Sequence, residues 1–277
     1  EIMGWIMDTY SKSKGYSVPG VVTGKPVELG GSLGRAAATG RGVMYTARNL
    51  MNVLGMKPEE TKVAVQGMGN VGATSALLMH QLGCKVVAVS DVSGGIICED
   101  GLDIPAIVEF INHKRRLLKD YKNDKVRFIS NEEVLTADVD MLIPAALQNQ
   151  ITEPIARKLK AKVIVEGANG PTTADADKIL NERGIIAAPD ILANAGGVIV
   201  SYFEWVQNIQ NLYWDEDEVN RNLERIMNRA FEDVYALSQE KKVSLRLAAN
   251  MIALIFCTAT ILFSAIMFAA SLKGTFF

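Results

Sequence analysis

Short apolar runs alternate with helical segments along the middle of the chain, and this alternation is the strongest constraint on the fold. The runs are rich in β-branched residues and occupy 62–66 (KVAVQ), 85–91 (KVVAVSD), 141–146 (MLIPAA), 162–168 (KVIVEGA) and 184–190 (GIIAAPD). Strands that are apolar on both faces and are separated by helices predict a parallel sheet covered by helices on both sides.

The segments between these strands carry helical patterns, and several have recognisable ends. Gly55 follows the pattern at 36–54 as a left-handed cap, and Asp103 begins a helix predicted over 103–119. Only helices are predicted after about Ala195. The other predicted helices cover 1–18, 70–83, 152–160 and 172–184. The chain is therefore predicted to be an α/β protein with a doubly wound parallel sheet and flanking C-terminal helices.

Composition and charge exclude several classes of function. The 277 residues are 49% hydrophobic, enough for a large core, and the net charge of −2 leaves no basic excess to bind nucleic-acid phosphates. Cys84, Cys98 and Cys257 form no CxxC pair, which excludes a disulfide scaffold and a zinc ribbon and fits a reducing, cytoplasmic compartment. With only two histidines, no metal site is expected. The chain begins with Glu1 and shows no signal peptide, so we expect a fragment of a longer protein.

The first predicted strand leads directly into a glycine motif. KVAVQ is followed by GMGNVG, in which Gly67, Gly69 and Gly72 have the spacing G-x-G-x-x-G at the start of a predicted helix. In this context the first glycine allows a tight turn, the second lets a pyrophosphate approach the backbone, and the third lets helix and strand pack closely. The free N–H groups and the dipole of the helix then face the phosphates. The alternative is a glycine-rich turn that binds nothing.

An acidic residue, Asp91, ends the second predicted strand, nineteen residues after Gly72. A carboxylate at this position can accept hydrogen bonds from both hydroxyls of an adenosine ribose, and it would repel a 2′-phosphate. The segment SDVSGG contains no Lys or Arg to offset that repulsion. The motif therefore predicts a Rossmann-like dinucleotide site that prefers NAD, with NADP as the alternative. The other interpretation of Asp91 is a solvated strand end.

Four further segments have specific patterns: PVELGGSLGRAAATGRGV, PAALQNQIT, VEGANGPTT and PDILANAGGVIVSYFEWVQN, which begin at residues 26, 144, 165 and 189. Together with GMGNVG, they closely resemble the glutamate dehydrogenase family of amino-acid dehydrogenases. The resemblance extends from about Ile2 to about Ala253, and it is closer to the glutamate enzymes than to their leucine and phenylalanine relatives.

This resemblance implies a two-domain enzyme with its active site in the cleft between a substrate domain and a dinucleotide domain. Such enzymes oxidise L-glutamate to an imine by hydride transfer to NAD(P), and water then releases 2-oxoglutarate and ammonium. The chemistry requires cations for the substrate carboxylates, a lysine of lowered pKa that polarises the carbonyl, and a carboxylic acid that moves the proton. The family usually forms homohexamers.

The resemblance also implies that the catalytic lysines and aspartate of the family lie upstream of Glu1. No catalytic residue is therefore assigned in this chain, and we expect it to be inactive alone. Lys25 matches no family motif and is not assigned as catalytic. The implied parts are a hinge helix and Gly/Pro-rich loop from the substrate-domain boundary (1–35), a dinucleotide-binding domain (36–200) and C-terminal helices (201–277).

Residue by residue, the resemblance adds contacts to the dinucleotide that the glycine motif alone does not imply. These cofactor-binding residues are Thr39, Asn70, Val71, Ala145, Ala146, Asn169 and Asn194. Other interpretations remain for several of them: a helix cap for Thr39 and for Asn70, close helix packing for the two alanines, and an Asx-turn for the other two asparagines.

The same comparison assigns Val198 and Ser201 to the substrate pocket. The valine would contact the substrate side chain, and the serine hydroxyl would bind a substrate carboxylate. Taken alone, a valine and a serine on an Ala/Gly-rich helix are more often packing residues. The resemblance reverses that preference and favours the substrate pocket. On this side of the pocket we expect Ser201 to offer a neutral hydroxyl where the substrate carboxylates need cations.

The C-terminal segment departs from the family pattern. From 247 to 272 no residue is charged, which is long enough to span a bilayer. It is interpreted as a membrane anchor, as a helix buried against another domain or subunit, or as an altered chain end without function. The last is favoured because the resemblance stops after Ala253. Two alternatives to a dehydrogenase fragment remain: a non-catalytic nucleotide-binding subunit, and a protein tethered to a membrane by 247–272.

Overall fold

A computed structural model describes residues 1–113 and 116–255, and a single sheet lies at its centre. The strands are β1 Lys62–Gln66, β2 Lys85–Asp91, β3 Gly94–Ile97, β4 Arg127–Ile129, β5 Met141–Pro144, β6 Val163–Val165 and β7 Ile186–Ala188. The helices are α1 Ile2–Lys14, α2 Ala38–Leu54, α3 Asn70–Gln81, α4 Ile104–Asn112, α5 Asn131–Leu135, α6 Glu153–Lys158, α7 Ala174–Glu182, α8 Asp190–Ala193, α9 Gly196–Gln210 and α10 Glu216–Lys241. Helical backbone also occupies 245–255.

The strand order in this sheet is β4-β3-β2-β1-β5-β6-β7, and its central part is parallel. β1 pairs in parallel with β2 on one side and with β5 on the other, and β6 and β7 continue the parallel set. The predicted doubly wound parallel sheet is therefore confirmed. Because the winding direction reverses between β1 and β5, their carboxyl ends diverge into a crevice, which is where open α/β sheets bind ligands.

Two strands were not predicted, and one predicted helix is shorter than expected. β3 pairs antiparallel with β2, and β4 pairs antiparallel with β3, so one edge of the sheet is not parallel. β3 begins with two glycines, and the first two residues of β4 are exposed, so neither strand shows the apolar run on which the prediction depended. The helix predicted over 103–119 ends at Asn112, although Asp103 does cap it by accepting a hydrogen bond from Ala106 N–H.

Apolar side chains fill both faces of the sheet. Val63 and Val65 of β1 pack in a cluster that includes Leu50 of α2 and Leu223 of α10. Ala64, which points to the opposite face, packs in a second cluster with residues of β5, β6 and α7. The alternation along one strand places a helical layer on each face, and the C-terminal helices share the first cluster with the sheet.

The uncharged stretch 247–272 lies only partly within the described residues. Its first part belongs to the helical backbone at 245–255, and 256–272 lies outside the described residues. Within the part of the chain that the structure describes, none of the helices combines the length and the apolar character needed to cross a membrane.

Candidate functional site

The glycine loop connects the end of β1 to the first turn of α3. Gly67 has φ 94°, a backbone conformation that L side chains rarely adopt, and a Cβ there would lie 2.8 Å from the carbonyl oxygen of Ala145. A Cβ on Gly72 would overlap the carbonyl oxygen of Gly67, whereas one on Gly69 would meet no atom within 4 Å. Two of the glycines are therefore required by the loop itself, and the third leaves open space beside the N-terminus of α3.

A cleft of about 1030 Å³ opens in front of this loop, and we call it the glycine-loop cleft. The predicted site residues that line it are Gly67, Gly69, Asn70, Asp91, Ala145 and Ala146. The first N–H groups of α3 have no partner within the helix, and they carry the positive end of its dipole. Since residues at this helix end line the cleft, the cleft is suited to an anionic group.

Asp91, at the end of β2, already accepts several hydrogen bonds from its own chain. Its Oδ1 accepts from the backbone N–H and the hydroxyl of Ser93 at 2.7 and 2.5 Å, and its Oδ2 accepts from Leu118 N–H at 2.7 Å. An ionised carboxylate has about four acceptor positions, so three are in use and about one is left for a ligand. Asp91 therefore joins the end of β2 to the turn at 118–120, besides facing the cleft.

Arg116 lines the same cleft as Asp91. Its guanidinium carbon lies 5.2 Å from the centroid of the Phe110 ring, which orients the charged group by a cation–π contact. The preference for NAD was predicted because no cation lies near Asp91 in the sequence. The fold brings a cation into the cleft from 25 residues further along the chain, so the electrostatic argument for NAD is weaker than the local sequence indicates.

A second cleft, of about 940 Å³, lies between the ends of β5 and β6 and the start of α9, and we call it the asparagine cleft. The predicted residues that line it are Thr39, Val71, Ala145, Ala146, Asn169, Asn194, Val198 and Ser201. It shares the two alanines with the glycine-loop cleft, so the two clefts are adjacent. Every predicted site residue lines one cleft or the other except Gly72, which lies against the loop at the contact between α3 and β1.

A direct hydrogen bond joins the two asparagines of this cleft. The side-chain amide of Asn194 donates to Oδ1 of Asn169 at 2.7 Å, and it also lies 3.4 Å from the carbonyl oxygen of Gly167. The loop after β6 and the end of α8 are thereby held together, with both amide side chains at the surface of the cleft.

The helix-cap interpretation is wrong for two residues. The N-cap of α2 is Ala37, and Thr39 lies inside the first turn without capping it. The N-cap of α3 is Gly69, and the Asn70 side chain instead donates to the carbonyl oxygen of Ala36 at 2.8 Å. Asn70 therefore ties the glycine loop to the segment before α2.

Ser201, on α9, is hydrogen-bonded to an arginine. Arg35 Nε donates to Ser201 Oγ at 2.9 Å, and the hydroxyl donates to the carbonyl oxygen of Gly197 at 3.0 Å. Arg35 also lines the asparagine cleft, and Val198 nearby is 69% exposed. The expectation of a neutral hydroxyl without a cation on this side is therefore wrong, because the fold places a guanidinium beside it.

Lys25 is committed to a buried ion pair. Its Nζ lies 2.5 Å from Oε1 of Glu204, both side chains are fully buried, and Nζ also donates to the carbonyl oxygen of Val22 at 2.7 Å. It lines neither cleft. Among residues 1–113 and 116–255, no group of three or more His, Cys, Asp or Glu side chains is arranged to hold a metal ion.

The family profile described as Glutamate/Leucine/Phenylalanine/Valine dehydrogenase matches residues 30–259, more than half of the chain. The chain belongs to this dehydrogenase family. The matched range includes the glycine loop, both alanines after β5 and the two asparagines of the second cleft.

Individual members of the family are similar over most of the chain. The glutamate dehydrogenase of Thermotoga maritima is 52% identical over 255 residues, which are 92% of this chain and 61% of the relative. The catabolic NAD-specific glutamate dehydrogenase of Bacillus subtilis is 47% identical and covers 91% of this chain and 58% of the relative. The NADP-specific glutamate dehydrogenase of Synechocystis is 49% identical, with 91% and 60% covered. The chain thus spans about three fifths of the relatives that it matches.

Solved glutamate dehydrogenase structures share the fold. The leucine-bound hetero-hexameric enzyme of Thermus thermophilus superposes with a TM-score of 0.83 at 35% identity, over 90% of this chain and 58% of that chain. Glutamate dehydrogenase 2 of Plasmodium falciparum gives a TM-score of 0.88 at 34% identity, over 95% and 59%.

Two arginines that line the clefts, Arg35 and Arg116, were not predicted from the sequence. Arg35 stands in GGSLGRAAATG, a segment that was recognised, but nothing there distinguishes it from a solvated arginine. Arg116 lies outside every recognised segment. Their partners are distant in sequence, so no local pattern identifies either residue.

Proposed function

We propose that this chain is the nucleotide-binding portion of an NAD(P)-dependent glutamate dehydrogenase, an enzyme that converts L-glutamate to 2-oxoglutarate and ammonium. The observation that carries the proposal is the adjacency of two clefts at the carboxyl ends of β1 and β5, which share Ala145 and Ala146. An extended ligand can occupy one cleft with one half and the other cleft with its second half. The similarity to glutamate dehydrogenases over most of the chain supports this assignment.

The residues present fit a nicotinamide dinucleotide. Gly69 leaves the space that a pyrophosphate needs. The first N–H groups of α3, which have no partner within the helix, can donate to it. In this proposal Asn169, Asn194 and Thr39 hold the nicotinamide half, and Asp91 contacts the adenosine ribose. When bound, the nicotinamide accepts the hydride from the amino acid.

We further propose NAD as the preferred cofactor. Asp91 at the end of β2 disfavours a 2′-phosphate, because two negative charges would meet in the same cleft. Arg116 acts in the opposite direction and makes NADP an acceptable second ligand. The presence of both NAD-specific and NADP-specific enzymes among the relatives agrees with a preference determined by a few side chains.

On the substrate side, we propose that Val198 contacts the substrate side chain and that Ser201 binds a carboxylate together with Arg35. A guanidinium next to a hydroxyl suits a carboxylate, since a charge-assisted hydrogen bond is about twice as strong as a neutral one. The part played by these residues is binding and orientation. The resemblance to the family assigns the lysine that polarises the carbonyl and the proton-carrying aspartate to a segment outside this chain.

The remaining assignments follow from the same proposal. Residues 1–35 are proposed as the hinge helix and loop of the substrate-domain boundary, 36–200 as the dinucleotide-binding domain, and 201–277 as the C-terminal part, of which 256–277 lie outside the described residues. The complete enzyme is proposed to form a homohexamer in the cytoplasm, where buried unpaired thiols such as those of Cys84 and Cys98 persist.

A fluorescence titration tests the dinucleotide site directly. The purified chain should enhance NADH fluorescence in a saturable manner. ADP should compete with NADH, because both ligands are proposed to occupy the glycine-loop cleft. NADPH should bind more weakly than NADH. Absence of saturable NADH binding by a folded chain would overturn the proposal.

A further inference from the structure

A fully buried carboxylate, Glu166, lies at the end of β6, directly behind the asparagine cleft. A buried charge is costly unless it is paired and hydrogen-bonded. Oε2 of Glu166 accepts from the backbone N–H of Asp190 at 2.9 Å, and Oε1 accepts from Nη2 of Arg246 at 2.6 Å. This carboxylate therefore connects β6, the start of α8 and the helical backbone at 245–255.

Asp190 continues the connection to the loop that carries Asn169. Its Oδ2 accepts from the backbone N–H of Gly170 at 2.7 Å. Asn169 thus lies between two anchored points, Glu166 and Gly170. Asn194 directly follows α8, the helix that begins at Asp190. The two amides that meet in the cleft are therefore both carried by segments that these carboxylates hold.

One guanidinium pairs with all three carboxylates of this group. Arg246 lies 2.6 Å from Glu166, 2.9 Å from Asp177 and 3.9 Å from Asp190. Burial alone would lower the pKa of Arg246, but the hydrogen bonds and charges of Glu166 and Asp177 outweigh it and raise the pKa above its usual range. Arg246 lines neither cleft, so it acts only through its partners.

We propose that Arg246 is a positioning residue for the nicotinamide half of the site: through Glu166 and Asp190 it keeps Asn169 and Asn194 in their binding orientation. The proposal rests on the proposed dinucleotide function. It adds a residue that does not line the cleft and acts on it through Glu166 and Asp190. Its physical basis is electrostatic, because without the guanidinium three carboxylates are left close together, one of them fully buried.

Arg246→Met tests the proposal when NADH and ADP are titrated in parallel. NADH occupies both clefts and ADP only the glycine-loop cleft. We expect NADH to bind about tenfold more weakly, the size of a lost hydrogen bond to a charged group, and ADP affinity to stay within about twofold. Glu166→Gln in the same chain removes the unpaired charge and keeps an acceptor for Asp190 N–H, so the double variant should recover most of the NADH affinity. Arg246→Lys, which keeps the charge but not the planar fork, should lose less than Arg246→Met.

Arg48→Met is the matched control, because Arg48 joins α2 to α10 by a partly buried ion pair with Glu224 and lines neither cleft. It should leave the ratio of NADH to ADP affinity unchanged. An equal loss of NADH and ADP affinity in Arg246→Met, no loss of either, or no recovery in the double variant would overturn the inference. If Arg246→Met does not fold, the ratio of NADH to ADP affinity is measured for Arg246→Lys instead. A smaller loss, confined to NADH, is then the expected result. A parent chain that binds ADP and not NADH, or neither, would overturn the proposed function itself.

Discussion

At the scale of single residues, Asp91 combines two tasks that compete for the same atoms. It accepts three hydrogen bonds from Ser93 and Leu118, which fix the end of β2, and it faces the cleft proposed to bind adenosine. Its charge acts on a ligand even where its acceptor positions are filled, because Coulomb interactions decline slowly with distance in a partly buried cleft. Cofactor choice should therefore respond to the charge of Asp91 more than to its hydrogen bonds.

Asp91→Asn removes this charge together with one acceptor used by Ser93 or Leu118, and the lost acceptor affects both cofactors alike. The substitution keeps the shape of the side chain, and we expect the ratio of NADPH to NADH affinity to rise about tenfold, equivalent to about 1.4 kcal/mol of removed repulsion. Asp91→Ser should narrow the gap in the same direction and also loosen the turn at 118–120. Parallel fluorescence titrations with both reduced cofactors measure the ratio. A parent chain that already prefers NADPH would show that the electrostatic argument is wrong.

At the scale of elements, a buried ion pair holds the Gly/Pro-rich loop against α9. Besides pairing with Lys25, Glu204 accepts from Gly24 N–H at 2.8 Å. These contacts join positions about 180 residues apart in sequence. They stabilise the segment that leads to Arg35, so the loop contributes to the substrate side of the site without Lys25 touching it.

Lys25→Met should destabilise the chain by about 3–5 kcal/mol, the usual cost of leaving a buried charge without its partner. Lys25→Met combined with Glu204→Gln should recover much of that loss, because the amide oxygen still accepts from Gly24 N–H and no charge remains. Urea unfolding followed by circular dichroism measures both. Wild-type stability in Lys25→Met would mean that the pair is not closed in solution and that Lys25 is free for another role.

The glycine loop offers a matched pair of substitutions at the same scale. A Cβ at Gly72 overlaps the backbone of Gly67, and a Cβ at Gly69 meets open space. Gly72→Ala should therefore lower the free energy of unfolding by about 1–3 kcal/mol, and Gly69→Ala should leave it nearly unchanged.

NADH binding should respond to Gly69, the glycine whose substitution leaves stability nearly unchanged. Gly69→Ala should weaken NADH binding about tenfold or more in a fully folded protein, because the added methyl occupies the space proposed for the pyrophosphate. Thermal unfolding and NADH titration of the two variants separate the effects. Normal NADH affinity in Gly69→Ala would contradict the proposed position of the phosphates.

At the scale of the whole molecule, one sheet with a helical layer on each face unites the described residues. The helices after Ala195 share an apolar cluster with β1 and α2, and Arg246 joins the helical backbone at 245–255 to the end of β6. The site therefore depends on segments from most of the chain's length. The chain nevertheless spans only about three fifths of the length of the relatives that it matches.

The chain alone should bind NADH but should not oxidise glutamate at a useful rate. Hydride transfer needs reacting atoms about 3–3.5 Å apart, and a 1 Å misplacement costs about a hundredfold. On the proposed substrate side, the described residues offer Val198, Ser201 and Arg35 to hold the substrate. Adding the substrate domain of a related enzyme in trans should restore turnover. In that mixture Ser201→Ala should raise the KM for glutamate and leave NADH affinity unchanged. Steady glutamate-dependent NADH formation by the 277-residue chain alone would contradict this expectation.

The sequence by itself determined the architecture and much of the site. Buried β-branched runs separated by helices specify a parallel sheet, because only that arrangement buries both faces of such strands. A G-x-G-x-x-G motif between a strand and a helix places a phosphate-sized space at a helix N-terminus, because Gly67 and Gly72 fit where a Cβ would clash and Gly69 leaves open space. The family segments then located both alanines after β5 and the two asparagines, all of which line the clefts.

Only the tertiary structure decided which charges meet. Arg35 and Ser201 are 166 residues apart, and Arg246 and Glu166 are 80 apart. Arg116, in the segment that follows α4, lines the same cleft as Asp91. The short antiparallel strands β3 and β4 were also invisible in the sequence. Local patterns report steric and apolar preferences within a few residues. Electrostatic pairs and edge strands depend instead on contacts between distant segments, which exist only once the sheet has brought those segments together.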